Sequence, residues 1–152
     1  MAEDDCRARA LALLARREHS RFELAGKLTR RGYPAEAVAA CLDALEEAGL
    51  LSDARYAESY VRSRVEKGYG PLRIRQELRE RGVAASLAEA ALADYKHRWP
   101  ALAQRQYRRK FGATRPADYR DWARRARYLG GRGFSAEHMR ALFDDEPNHE
   151  TE

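Results

Sequence analysis

The chain has 152 residues, of which 44% are hydrophobic and 35% are charged, and its net charge at pH 7 is +5. Ala and Leu dominate the apolar residues, and Arg and Glu dominate the charged ones, which favours helices over strands. No apolar run approaches the roughly 20 residues that cross a bilayer, and the acidic N-terminus is unlike a basic secretory signal. We therefore expect an all-α protein of the cytoplasm that does not enter the membrane.

Three arginine-glycine pairs recur along the chain, and their glycines are 50 and then 51 residues apart. A leucine lies four residues before each glycine, and large apolar residues lie one and ten residues after it. These residues are Leu28, Gly32, Tyr33 and Leu42, then Leu78, Gly82, Val83 and Leu92, then Leu129, Gly133, Phe134 and Phe143. A unit of this size buries little apolar surface alone, so the period predicts tandem repeats in an elongated array.

The repeat divides the chain into three predicted three-helix repeats and a tail. The repeats are residues 1–51, 52–95 and 96–143. The acidic tail, residues 144–152, is expected to be disordered.

The first repeat begins with amphipathic periodicity over residues 5–17. Ser20 and Glu23 then form a capping box that predicts the start of a second helix. Gly32 supplies the stop of that helix, and Pro34 suits the first turn of a third.

The second repeat follows the same scheme with different residues at the helix ends. Ser52 or Asp53 caps its first helix, and Pro71 opens its second. Its third helix lacks a capping residue at the expected place, so Ser86 with Glu89 is predicted to start that helix later.

The third repeat contains predicted helices at residues 100–111, 117–129 and 135–143. Gly112 and Pro116 separate the first two of these helices. No segment of the chain alternates with period two long enough to predict a strand.

Charge is distributed unevenly between the repeats. Residues 1–52 carry 8 basic and 9 acidic groups, and residues 53–95 carry 8 and 7. Residues 96–143 carry 13 basic groups against 3 acidic ones, and the tail adds five carboxylates. The last repeat is therefore the expected contact for an anionic partner.

No motif for catalysis or cofactor binding occurs in the sequence: it has no phosphate-binding glycine loop and no nucleophile elbow. The histidines show no metal-ligand spacing, and Cys6 and Cys41 are predicted to be buried free thiols. We expect a protein that is not an enzyme and that holds neither metal nor cofactor.

Arginines interleaved with aromatic residues occur on the first and second helices of the second and third repeats, a pattern that can follow phosphates and stack on bases. The aromatic residues among them are Tyr60, Tyr69, Tyr107, Tyr119, Trp122 and Tyr128. The alternative is an ordinary solvated face. The predicted contacts for a protein or DNA partner are Arg62, Arg64, Lys67, Arg73, Arg75, Arg105, Arg108, Arg109, Lys110, Arg124, Arg125, Arg127 and Arg132.

Among these residues, Arg124, Arg125 and Arg127 are favoured for binding because no carboxylate lies between Asp121 and Glu137. Four aromatic residues fall instead at the spacing of a helical core. They are Tyr56, Tyr60, Trp122 and Tyr128, which we predict to be buried.

Three short helices with a glycine turn are distantly similar to helix-turn-helix and homeodomain modules. In those modules the last helix enters the major groove. Here the third helices, at residues 35–48 and 84–94, contain no Lys or Arg. Sequence-specific reading of bases is therefore not expected.

The segment RYAESYVRSRVEKGYGPLRIRQELRERGV, residues 55–83, closely resembles the signature segment of the bacterial RecX regulatory proteins. Further segments that resemble this family are residues 13–33, 45–61, 108–112 and 126–143. Only the two ends of the chain fall outside the resemblance.

The resemblance implies tandem three-helix motifs in a curved, elongated array that acts as a negative modulator of the RecA recombinase. Such proteins lodge in the groove of the RecA filament on DNA and lower its ATP hydrolysis, strand exchange and coprotease activity. The expected partners are RecA and, without sequence preference, single- and double-stranded DNA, and the chain is expected to be a monomer.

Two alternatives remain open at this point. One is a helical protein that binds nucleic acid independently of RecA, and the other is an interaction scaffold whose basic face meets only an acidic protein. The acidic tail is either a solubility feature or a segment that folds over the basic repeat and competes with DNA.

Overall fold

The computed structural model describes residues 2–144, which form nine helices and contain no strand. The all-α prediction is confirmed. The predicted tail, from residue 145 onward, lies outside the described residues, as does the side chain of Phe143. No helix in residues 2–144 has both the length and the apolar content needed to span a membrane.

The helices follow one another in groups of three. The first group is α1 (Ala2–Arg16), α2 (Arg21–Arg30) and α3 (Ala35–Glu47). The second is α4 (Asp53–Glu66), α5 (Pro71–Glu80) and α6 (Ala85–Ala93), and the third is α7 (Trp99–Phe111), α8 (Tyr119–Gly131) and α9 (Ala136–Asp144).

Local capping residues set several of the helix starts. The capping box of α2 is present in full, with Glu23 N donating to Ser20 Oγ and Ser20 N donating to Glu23 Oε1. Ser52 caps α4, since its hydroxyl accepts from Arg55 N at 3.1 Å. The prediction that the third helix of this repeat starts late was wrong: α6 begins at Ala85, directly after the glycine turn.

The repeated leucine and glycine form the same C-terminal turn three times. Each glycine has a positive φ, of 97° at Gly32, 76° at Gly82 and 103° at Gly133. The residue after each glycine donates its N–H to the leucine carbonyl: Tyr33 to Leu28 (3.4 Å), Val83 to Leu78 (3.0 Å) and Phe134 to Leu129 (3.1 Å). This is the Schellman motif, which explains why the sequence repeats a leucine, a glycine and an apolar residue in that order.

The chain folds into two compact units that do not coincide with the three repeats. Unit 1 contains Met1–Tyr60 and Glu77–Ala91, and unit 2 contains Val61–Gln76 and Leu92–Glu152. The boundary passes along α4, α5 and α6, so the second repeat contributes to both units. The division into three separate domains stays a prediction.

Unit 1 has its core between α1, α2 and α3. The core residues are Cys6, Ala10, Leu24, Leu28, Val38, Cys41, Leu42, Leu45 and Leu51. Both cysteines are buried free thiols, as predicted, and burial raises the pKa of Cys6 to about 11. A thiol with so high a pKa is protonated at neutral pH and therefore poorly reactive.

Within each unit, the turn before the second helix of one repeat contacts the arginine-glycine pair of the next. In unit 1, Ser20 Oγ donates to the carbonyl oxygen of Arg81 at 2.8 Å. In unit 2, Gly70 N donates to the carbonyl oxygen of Arg132 at 2.7 Å. The arginine-glycine pair is thus both a helix stop and the docking point for the preceding repeat.

Candidate functional site

The two units differ strongly in charge. Unit 1 carries 11 basic and 14 acidic side chains, whereas the described part of unit 2 carries 18 basic and 6 acidic ones. All thirteen predicted contact residues belong to unit 2. The positive charge is therefore gathered on one unit, and the other is slightly acidic.

Helix α7 presents an arginine-lined groove. Arg105, Arg108 and Arg109 are exposed and, with Ala101 and Gln104, line an open groove of about 460 Å³. None of the carboxylates whose side chains the structure describes forms an ion pair with these three arginines. Uncompensated guanidinium groups on one helix face are suited to bind phosphate oxygens.

A second group of arginines surrounds Tyr69 in the turn between α4 and α5. The guanidinium carbons of Arg64, Arg132 and Arg73 lie 3.9, 4.0 and 4.5 Å from the centre of the Tyr69 ring. The negative face of the ring helps to hold three like charges close together. Sequence reasoning placed Tyr69 among the basic residues but did not include it in the predicted site.

Backbone carbonyls hold two of these arginines in place. Arg132 Nε donates to Gly68 O at 3.3 Å, its Nη2 donates to Lys67 O, and Arg73 Nη1 donates to Gly131 O at 3.1 Å. Arg132 is half-buried, whereas Arg73 is exposed. The Tyr69 cluster consequently serves the packing of unit 2 and also adds positive charge to its surface.

Arg125 does not lie at the surface where the sequence predicts it, because its side chain is only 7% exposed. Its Nη1 donates to Thr114 O at 2.6 Å and to the Tyr107 hydroxyl at 2.9 Å, and its Nη2 pairs with Asp121 at 3.2 Å. Burial alone would lower the pKa of this guanidinium, but the bonds to Tyr107 and Asp121 raise it above its ordinary value. Arg125 ties the segment between α7 and α8 to α8, and we remove it from the candidate surface.

Asp121 also neutralises the arginine beside it. Arg124 Nη2 donates to Asp121 Oδ1 at 2.6 Å, although the Arg124 side chain stays 58% exposed. The N–H of Ala117 and the guanidinium of Arg124 lower the pKa of Asp121 to about 2. Of the three arginines that the sequence favours on α8, only Arg127 is exposed and has no ion pair with a described carboxylate.

The prediction that Trp122 is buried was wrong, because 36% of this residue is exposed. It stacks on Tyr119, which is 80% exposed, with ring centres 5.6 Å apart. Tyr56 is buried as predicted, whereas Tyr60 and Tyr128 are half-buried. The exposed aromatic pair is therefore a surface feature that the helical spacing did not indicate.

The remaining predicted contacts lie at different depths. Arg62, Lys67 and Lys110 are exposed, and Arg75 is half-buried. The Lys110 ammonium lies 5.1 Å from the centre of the Tyr128 ring, which places it beside α8. In the described part of the chain, no group of His, Cys, Asp and Glu is arranged to hold a metal ion.

The fold and the surface together define an all-helical protein with one strongly basic unit. Three family models match successive parts of the chain: the first three-helix domain of RecX at residues 6–45, the second at 52–92 and the third at 100–143. The chain therefore belongs to the RecX family of regulatory proteins, and the prediction of tandem three-helix repeats is confirmed.

Named relatives agree with the family models. The regulatory protein RecX of Halorhodospira halophila is 51% identical over 140 residues, which cover 92% of this chain and 87% of that protein. That of Acidithiobacillus ferrooxidans is 51% identical over 138 residues, covering 91% and 88%. A crystal structure of regulatory protein RecX matches 95% of this chain and 74% of its own with a TM-score of 0.79 and 26% identity. A regulatory role follows from these relationships.

Proposed function

We propose that this chain is a negative regulator of RecA that binds in the groove of the RecA filament on DNA. In doing so it inhibits ATP hydrolysis, strand exchange and coprotease activity. It acts by binding rather than by catalysis, as a monomer in the cytoplasm. Membership of the RecX family supports the choice of RecA as the partner.

The observation that carries the proposal is the charge of unit 2, which has 18 basic and 6 acidic side chains in its described part. A filament on DNA presents phosphates along a groove, and a surface of this charge gains affinity by releasing their counterions. The proposed contacts are Arg62, Arg64, Lys67, Arg73, Arg75, Arg105, Arg108, Arg109, Lys110, Arg124, Arg127 and Arg132.

The direct test is ATP hydrolysis by RecA on single-stranded DNA, measured as the protein is added up to one copy per filament site. We expect the rate to fall as the filament fills. An unchanged rate at near-stoichiometric occupancy would contradict the proposal.

A matched pair of variants assigns the effect to unit 2. Replacing Arg105, Arg108 and Arg109 by Gln removes three exposed charges from α7, and we expect inhibition to require more protein. The control replaces Arg16, Arg30 and Arg31 by Gln, which removes three exposed charges from unit 1. An equal loss of inhibition in both triple variants would show that inhibition depends on total charge and not on the α7 groove.

A second function is favoured by the same groove: binding of single- and double-stranded DNA without RecA. The three groove arginines have no described carboxylate partner, so they can contact phosphates directly. DNA binding that persists without RecA, in a protein that leaves RecA hydrolysis unchanged, would favour this alternative. Binding to RecA that is insensitive to DNA and salt would favour a protein scaffold.

A further inference from the structure

The first turn of α8 exposes two aromatic rings that lie against each other. Tyr119 and Trp122 are 80% and 36% exposed, and their rings stack at 5.6 Å with an angle of 21° between their planes. Single exposed apolar residues such as Leu11 are ordinary on a protein surface. A stacked aromatic pair instead presents a continuous aromatic surface, most of it on Tyr119, on which a ligand can stack.

Hydrogen bonds hold this turn in a fixed conformation. Asp118 Oδ1 accepts from Asp121 N at 2.8 Å, and Asp121 Oδ2 accepts from Ala117 N at 3.0 Å. The buried Arg125 fixes the preceding segment through Thr114 O at 2.6 Å. The aromatic pair is thus displayed by a rigid support, which reduces the entropy lost when a ligand binds.

The charges around the pair favour a polyanion. Arg115 lies four residues before Tyr119, Arg120 lies between the two aromatic residues, and both arginines are exposed. The carboxylates of Asp118 and Asp121 are engaged in capping the helix and in binding Arg124. Aromatic rings among arginines are the combination by which proteins stack unpaired bases while they bind the phosphates beside them.

We infer that Tyr119 and Trp122 form a stacking site for the unpaired bases of single-stranded DNA. This inference rests on the proposed contact of unit 2 with DNA and adds a specific binding mode to it. Stacking is indifferent to base identity, so the site gives a preference for single strands without a sequence preference.

The experiment titrates the full chain with an oligothymidylate of about 15 nucleotides and follows tryptophan fluorescence. A matched oligomer of abasic units carries the same phosphates and no bases. We expect the oligothymidylate to quench the fluorescence and to bind about tenfold more tightly than the abasic oligomer, since one stacked base contributes about that factor.

Variants assign the effect to the two rings. Trp122→Phe should abolish most of the quenching and keep the affinity, because a ring remains. Tyr119→Ala should weaken oligothymidylate binding about tenfold, while Tyr119→Phe keeps it. The control is Leu11→Ala, which alters an apolar side chain in unit 1 with the same 36% exposure as Trp122.

Three outcomes would overturn the stacking site: equal affinity for both oligomers, unchanged affinity in Tyr119→Ala, or quenching by RecA alone and not by oligothymidylate. The last would mark the pair as a protein contact. RecA inhibition is measured separately, so either idea can fail alone. Inhibition by a chain that binds both oligomers equally removes only the stacking site, and quenching without inhibition removes only the RecA role.

Discussion

Gly70 lies directly against Gly133 in unit 2, so closely that a Cβ added to Gly70 would come within 2.5 Å of the Gly133 carbonyl carbon. The same contact brings Gly70 N to the Arg132 carbonyl at 2.7 Å and Leu72 N to the Gly133 carbonyl at 3.0 Å. The turn between α4 and α5 therefore docks on the turn between α8 and α9 with backbone in direct contact with backbone. Only glycine allows an approach of this kind.

We expect Gly70→Ala to destabilise the protein by about 1–3 kcal/mol, because the new methyl group must displace backbone rather than a flexible side chain. Chemical denaturation monitored by circular dichroism measures this change. The matched control is Gly130→Ala in α8, where an added Cβ meets nothing within 4 Å. Removing a glycine from a helix there should stabilise the protein by up to about 1 kcal/mol. Equal destabilisation by both substitutions would refute the close-packing account.

Local signals in the sequence were sufficient to predict the helices. The capping box at Ser20, the proline at the start of α5 and the glycine at the end of α2 each act on neighbouring residues, and each helix begins or ends within a few residues of its signal. The buried thiols followed from apolar surroundings at helical spacing. Features of this kind need no knowledge of distant contacts.

Helix α8 shows what such signals miss. Its spacing predicted Trp122 inside and Arg125 outside, and the structure has the reverse. Arg125 is buried because it packs under the segment before α8 and donates to the carbonyls of Thr114 and Arg115. The course of that segment is not encoded in the period of α8. The two compact units were missed for the same reason, since docking of one turn on another connects residues about 60 positions apart.

The buried guanidinium of Arg125 should contribute to the stability of the fold. Arg125→Ala should destabilise the chain by about 1.5–3 kcal/mol, because it leaves the Thr114 carbonyl and the Tyr107 hydroxyl without their charged donor. Arg124→Ala removes only a partly exposed ion pair and should cost less than about 1 kcal/mol. Arg125→Lys keeps the charge but loses the fork of donors, so it should recover little stability. Full recovery in this variant would mean that charge alone is needed at this position.

Acid should weaken unit 1 through His19, which is buried between two cationic residues. The Arg17 carbonyl lies 3.1 Å from Nδ1, and the Lys27 ammonium lies 2.8 Å from Nε2. Burial first, and then the charges of Arg17 and Lys27, lower the pKa of His19 below its ordinary value of 6.5, although the Arg17 carbonyl and Glu23 oppose this. The ring is thus neutral in the fold and accepts from Lys27.

The sign of the effect follows from that shift. Below about pH 6.5 His19 binds a proton in the unfolded chain and stays neutral in the folded one. The free energy of unfolding is therefore highest above this pH and falls as the pH drops towards the lowered pKa. Urea denaturation between pH 7.5 and 5 should show this loss, with a slope of up to about 1.4 kcal/mol per pH unit. His138 shifts in the same direction, so the loss should shrink, and not vanish, in His19→Gln. An NMR titration that gives His19 a pKa above 6.5 would contradict the assignment.

The α7 groove should contribute to the salt dependence of DNA binding. If Arg108 contacts a phosphate of single-stranded DNA, replacing it by Gln should reduce the slope of log affinity against log salt by about 0.7. The same change at Arg30, which is exposed in unit 1, should leave the slope unaltered. Tyr119→Ala should lower the affinity and keep the slope, because a lost stacking contact releases no counterions. Fluorescence anisotropy at several salt concentrations measures all three. A slope that falls equally in the Arg108 and Arg30 variants would mean that DNA responds to overall charge, and the groove would then have no special role in binding.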